Sequence, residues 1–563
     1  MFSLADKFVT ELARLAPFGR HDTDPLSSPR AAARWLEGLP VGDAFKCQQA
    51  ILGALGRFNE NSTTLTKDRL AVLMLLDEKS RDLQDTLVRQ YLRNPRMSRP
   101  HENQLWHAVY GLYWEVARAY HAAVLQFARD ADHGQPQPVF PLIALRAIRS
   151  FGQLLKWRAI RYLPAGDKLW QRLHKLYRVA EGLDFHRLPQ RAYDGEDADC
   201  SCESAYLHIL MLSLADAGTL YPRQVDLIDR WLCGWHVMLE LDRALDPGRH
   251  TFAVDLSADH GPRRVRNPGA GRPLRAWSTP ALVDRLHVLQ AALRDGGLPA
   301  QLGLTDAVRP AEAFELLEHL QRQWSPLEHR EQRRAARDST KRLVDVVHGL
   351  GAIVDQLKTA GSHDGDSVYE TGLSFAEAEE MQVYGFVTGR TREHAIHARQ
   401  AAPDSTRGER WVMHDESAFG YGAVVESVDK DWLRVGALIA VKPHHADAWK
   451  IGIVRRLARP AGDSCAVGIE TLAEPPVLAT LHDTSQPGYT VNGFDNSGAS
   501  QPRACIWLAG AGATDSLMID PAHYTPGKVF EMHGVPGRSV IALGNPVERS
   551  EGWLRVAAAP VAG

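Results

Sequence analysis

Through the first half of the chain, apolar residues return every three to four positions, the period of a helix with one buried face. Leu4, Phe8, Leu12 and Leu15 share one side of a first helix, with Ser3 placed to cap it. Its other side mixes Asp6, Lys7, Glu11 and Arg14, which suits a docking or core helix better than a membrane-surface one. The segment from Leu65 to Leu92 keeps the period without a glycine or proline. Further helical stretches begin HENQLWHAVY, FPLIALRAIR, DKLWQRLHKL, ESAYLHILML and YPRQVDLIDR. Trp106, Trp114, Trp157, Trp170, Trp231 and Trp235 fall inside them, where helix–helix packing is their expected use. No period of the tetratricopeptide kind emerges. Residues 1–325 are expected to form a mainly α-helical interaction region.

Within that region the period changes once. Phe252, Val254 and Leu256 alternate with polar neighbours and Gly261-Pro262 marks a turn, so a small β-hairpin is expected near 250–266. Arg263, Arg264, Arg266, Arg272 and Arg275 follow, and a solvated loop is the expected setting for them. Beyond Arg330, arginines precede a valine-rich run, Leu343 to Val347, that reads as a first strand. A polar, glycine-bearing stretch then looks like a loop or insertion near 351–405. From Arg407 onward, short runs of branched and aromatic residues recur about every ten positions between turn residues, as in a small barrel or sandwich. After a linker-like patch, DTSQPGYTVNGFDNSGASQP, a last group of strands closes the chain. The predicted fold class is α+β and multidomain: the helical half, an antiparallel β-barrel over 326–480, and a small β unit over 481–563.

Composition narrows the function. A chain of 563 residues is too long for one ordinary core. With 44% hydrophobic and 24% charged residues it has the balance of a folded, water-soluble protein. The formal net charge of −3 supplies no global field toward nucleic acid or membrane, so an anionic ligand needs a local arginine cluster. Neither DNA nor RNA is an expected partner. No run approaches the roughly 18 apolar residues of a membrane span, and the N-terminus lacks the charge pattern of a signal peptide. Six scattered cysteines suit a reducing compartment, and a cytoplasmic location is expected. Cys200-x-Cys202 has no second ligand pair at zinc spacing, so no metal is expected there.

The candidate chemistry gathers in WVMHDESAFGYGAVV, from Trp411 to Val425. Ser417 follows His414, Asp415 and Glu416, but strand alternation sends His414 and Ser417 to opposite faces. The G-x-S-x-G elbow of a hydrolase is absent, as are a phosphate-cradling P-loop and a helical H-E-x-x-H. His444-His445 lies on a predicted turn without ligand partners. No enzyme is expected.

Asp415-x-Ser417-x-x-Gly420, followed by WLRVGALIAVK and WKIGIVRRLARPAGDSCAVGIETL, resembles the PilZ domain, and the chain resembles large bacterial PilZ proteins with a helical N-terminal region. The resemblance implies a PilZ-like β-barrel that binds the second messenger cyclic di-GMP. The family's arginines come as R-x-x-x-R upstream of the serine motif. That spacing occurs as Arg330-x-x-x-Arg334 and Arg333-x-x-x-Arg337, whereas Arg407-x-x-Arg410 is one residue short. The resemblance therefore assigns Arg333, Arg337, Asp415, Ser417 and Gly420 to the ligand. Arginine suits such a ligand because its planar fork donates in pairs to a phosphate or to guanine O6 and N7. A carboxylate and a hydroxyl accept from guanine N–H groups, and glycine permits close backbone approach. Two readings follow. The chain is a bacterial signalling protein that senses cyclic di-GMP and relays its state through the helical region to a protein partner. Alternatively it is an interaction scaffold whose barrel binds no nucleotide.

Overall fold

The computed structural model describes residues 25–561, except 41, 62–64, 95–96, 133–136, 167, 236–237, 266–271, 305–307, 328–337, 362–407, 418, 427–429, 431, 444–445, 447, 461–463, 473–474, 484–502, 511–514 and 536–539. The helix expected at Leu4–Leu15 and the His444-His445 pair lie outside the described residues. The chain divides into two compact units, residues 1–332 and 333–563.

In the first unit the apolar period produces helices α1 (Pro29–Glu37), α2 (Ala44–Glu60), α3 (Lys67–Arg93), α4 (Arg99–Asp132), α5 (Phe140–Ile160), α6 (Leu169–Gly182), α7 (Cys202–Ser213) and α8 (Pro222–Trp235). Ser28, Asp43, Thr66 and Ser201 cap the starts of α1, α2, α3 and α7 by accepting from exposed backbone N–H groups. Trp106, Trp157, Trp170, Trp231 and Trp235 are buried in one continuous core. Two of them also tie helices to neighbours: the Trp106 indole donates to the Trp157 carbonyl and that of Trp231 to the Leu302 carbonyl, each at 3.0 Å. One buried charge in this core is matched twice. Lys156 on α5 donates to Asp226 at 2.6 Å and to Asp229 at 2.7 Å, both on α8.

The expected hairpin is a three-stranded antiparallel sheet. Strand β1 (Phe252–Asp255) lies between β2 (Arg263–Arg264) and β3 (Leu274–Trp277), with Phe252 opposite both Arg264 and Trp277. Two more helices, α9 (Pro280–Arg294) and α10 (Pro310–Trp324), complete the unit. The solvated-loop expectation fails for two of the arginines. Arg275 pairs with the buried Glu181 of α6. Arg264 donates to the carbonyls of Ser325 at 2.6 Å and Gln323 at 3.0 Å, closing the end of α10. A guanidinium there satisfies orphan carbonyls and complements the negative end of the helix dipole. Arg264→Ala is expected to cost about 1.5–3 kcal/mol, the range for a charge-assisted hydrogen bond, seen as a lowered urea midpoint with an unchanged slope.

The second unit holds two closed six-stranded barrels. The first runs β4 (Asp338–His348), β5 (Glu409–Ser417), β6 (Gly420–Glu426), β9 (Ser464–Thr471), β8 (Lys450–Ala458) and β7 (Leu438–Pro443) in spatial order. The valine-rich run is the middle of β4. The second barrel comprises β10 (Pro476–Asp483), β11 (Arg503–Leu508), β12 (Ser516–Ile519), β13 (Val529–His533), β14 (Val540–Arg549) and β15 (Leu554–Pro560). The C-terminal β unit is thus a closed barrel with its own core, around Leu517, Phe530, Ile541 and Val556.

Gly349, at φ +81°, turns the chain from β4 into helix α11 (Leu350–Gly361). Ile353 and Val354 of α11 join one apolar cluster with Leu438 and Ile453 of the first barrel and Ile506, Met518 and Trp553 of the second. No helix among the described residues is long and apolar enough to cross a membrane. At Cys200 burial pushes the thiol up to about 11, and Cys202 is pushed up further by the same cause, so the pair is not a pair of thiolates.

Candidate functional site

The serine motif is a hairpin. Strands β5 and β6 run antiparallel with Ser417 opposite Gly420, Glu416 opposite Tyr421 and Asp415 opposite Gly422. Next comes Met413 opposite Ala423, so His414 is an extra residue and the strand is bulged there. Met413 is buried, His414 exposed and Asp415 half-buried. The Ser417 hydroxyl donates to the Gly420 carbonyl at 3.3 Å, closing the turn. Its hydrogen is engaged by the backbone.

Both glycines of the hairpin lie in close approach to neighbouring atoms. A Cβ at Gly420 would lie 2.0 Å from the Ile469 carbonyl oxygen of β9. A Cβ at Gly422 would lie 2.6 Å from each carboxylate oxygen of Asp415, which occupies the space a side chain would fill. The turn is fastened to β9 besides, by the Thr471 N–H donating to the Phe419 carbonyl at 2.9 Å.

Beside this hairpin is a cavity of about 380 Å³ lined in part by Lys341, Arg342, Glu416, Tyr421, Pro443 and Lys450. Arg342 Nη1 meets Glu416 Oε2 at 2.9 Å. Burial, with Glu416 adjacent, pushes the Tyr421 phenol up, so it stays a neutral donor and a ring face. Three cations against one carboxylate suit the cavity to an anion, and its size falls within the usual range for small-molecule pockets. Sequence reasoning missed Lys341, Arg342, Tyr421 and Lys450. The visible signal was the Lys-Arg pair at the head of the valine-rich strand, which only the β4–β5 pairing brings beside the motif.

The structure brings Asp415, Ser417 and Gly420 together on one hairpin. Arg333 and Arg337 lie outside the described residues, as do Arg330, Arg334 and Arg407. Arg410 is described and stands apart from the motif, facing Asp345 at 3.6 Å further along the β4–β5 pair. Among the described residues no group of three or more His, Cys, Asp or Glu side chains is arranged to hold a metal.

Two family models match the chain. One, described as the N-terminal domain of the cyclic-di-GMP receptor FimW, matches residues 30–246. The other, described as the middle PilZ domain of the same receptor, matches residues 354–476, a span that takes in β5 to β9. The chain is also similar to the cyclic-di-GMP receptor FimW of Pseudomonas aeruginosa, at 23% identity over 502 residues, which cover 82% of this chain and 80% of that protein. No solved structure matches.

Proposed function

We propose that this protein, a PilZ-domain chain with a helical N-terminal region, is a non-enzymatic cytoplasmic receptor for cyclic di-GMP. The observation that carries the reading is the cation-lined cavity set against the Asp415–Gly420 hairpin. Cyclic di-GMP offers two phosphates for the cations and guanine edges for the carboxylate, the hydroxyl and the arginine forks. The R-x-x-x-R arginines fit by connectivity. Strand β4 opens at Asp338, which pairs with Glu416, and Ser339 pairs with Asp415. Arg337 is the preceding residue, about 3.8 Å away along the chain, and five extended residues bring Arg333 no further than roughly 18 Å.

In this reading the arginine segment and the hairpin hold the nucleotide between them. Ligand state passes to the helical region, which engages a protein partner, to the extent that the nucleotide binds one arrangement better than another. Calorimetric titration of the full chain tests it. Saturable heat with cyclic di-GMP at micromolar concentration or below is expected, with none from GMP or GTP at the same concentrations. A flat titration would discard the receptor reading and leave the scaffold.

A further inference from the structure

We infer that Arg455, together with Glu548 of the second barrel, positions the nucleotide motif, so that the C-terminal barrel is a working part of the ligand site. The inference rests on the receptor reading above and adds to it a second domain.

The motif turn is laid on the end of β9. Gly420 pairs with Glu470, the Ile469 carbonyl fills the space beside Gly420, and Thr471 holds Phe419. Wherever the end of β9 goes, the Ser417–Gly420 turn follows. That end is gripped from the side by one guanidinium. Arg455 Nε donates to Glu470 at 2.7 Å, and Arg455 Nη1 donates to Glu548 on β14. A single rigid fork therefore joins the residue opposite the motif glycine to the second barrel.

Both ends of this link sit at irregularities in their strands. In β8 the register passes from Val454–Ile469 to Arg456–Gly468, which leaves Arg455 as the extra residue of a bulge. In β14 the register is broken between Leu543 and Pro546 and again between Pro546 and Glu548. Bulges re-aim side chains that regular alternation would send elsewhere. Two of them converge here on one ion triad.

The triad is not what holds the barrels together. The shared apolar cluster with Trp553 does that, helped by the Trp553 indole and the Ser550 hydroxyl, which donate to the Gly436 carbonyl at 3.0 and 2.8 Å. Half-exposed ion pairs contribute little to stability. Removing Arg455 should leave the barrels docked and β9 paired with β6 and β8, while releasing the Glu470 side chain beside the motif turn.

The test is calorimetric titration of the full-length chain with cyclic di-GMP, with a thermal melt of each variant. Arg455→Ala and Glu548→Gln are each expected to weaken binding about tenfold. The double variant should be no weaker than either single one, because both break one link. Arg455→Lys, which keeps the charge, should recover part of the loss, and Trp553→Phe, which loosens docking without touching Glu470, should stay within about twofold of wild type. If Arg455→Ala does not fold, Glu548→Gln and Arg455→Lys carry the same comparison. Binding within twofold of wild type in both single variants, an additive loss of about 100-fold, or an equal loss in Trp553→Phe overturns the inference. A wild-type chain that gives no heat overturns the receptor reading itself and this inference with it.

Discussion

Replacing Arg333 and Arg337 together with alanine is expected to weaken cyclic di-GMP binding about 100-fold or more, with little change in melting temperature. On the proposed reading each guanidinium would donate charge-assisted hydrogen bonds to a phosphate or a guanine edge, and such bonds contribute about 1.5–3 kcal/mol apiece. Two lost together account for the factor. Asp415→Ala should cost about tenfold on its own, since one acceptor for guanine N–H groups goes. Calorimetry at constant ionic strength reads both effects. If the double arginine variant binds as wild type does, the phosphates belong to Lys341, Arg342 and Lys450 of the cavity alone, and alanine at those positions becomes the deciding experiment.

Gly420→Ala and Gly422→Ala are expected to fail differently, although both add one methyl group to the same hairpin. At Gly420 the new carbon meets the Ile469 carbonyl at 2.0 Å, and that atom is backbone held in the β6–β9 ladder. It cannot step aside without breaking the pairing, so the variant should lose about 3 kcal/mol of stability, at the upper end for overpacking, and bind no nucleotide. At Gly422 the obstacle is the Asp415 carboxylate at 2.6 Å, a side chain that can rotate away. That variant should melt within a few degrees of wild type and still bind about tenfold more weakly, because its carboxylate is re-aimed. Thermal melts paired with titrations separate the two. Equal melting temperatures for both variants would show that the β6–β9 ladder yields where it is described as rigid.

Much of the helical unit was legible because its cause is local. The period from Leu65 to Leu92 is a property of neighbours three and four apart, and it appears as α3 with Thr66 as its cap. The motif was legible for the same reason. Asp415, Ser417 and Gly420 lie within six positions, so a hairpin alone brings them together. Arg264 and Arg275 were misread because nothing near them in sequence shows that a helix end and a buried glutamate await them. The C-terminal strands were read as strands, but closure into a separate barrel was not visible.

What the sequence determined by itself was the change from helical to strand period and the compact D-x-S-x-x-G motif from Asp415 to Gly420. Tertiary structure alone decided that β4 pairs with β5 across an intervening stretch of some sixty residues, setting Lys341 and Arg342 beside Glu416. It alone decided that Arg455 at one bulge meets Glu548 at another. Periodicity records which face of an element is buried. Which distant element buries it, and which charges that pairing draws together, depends on loop closure and packing over long separations, where neighbouring residues carry no signal.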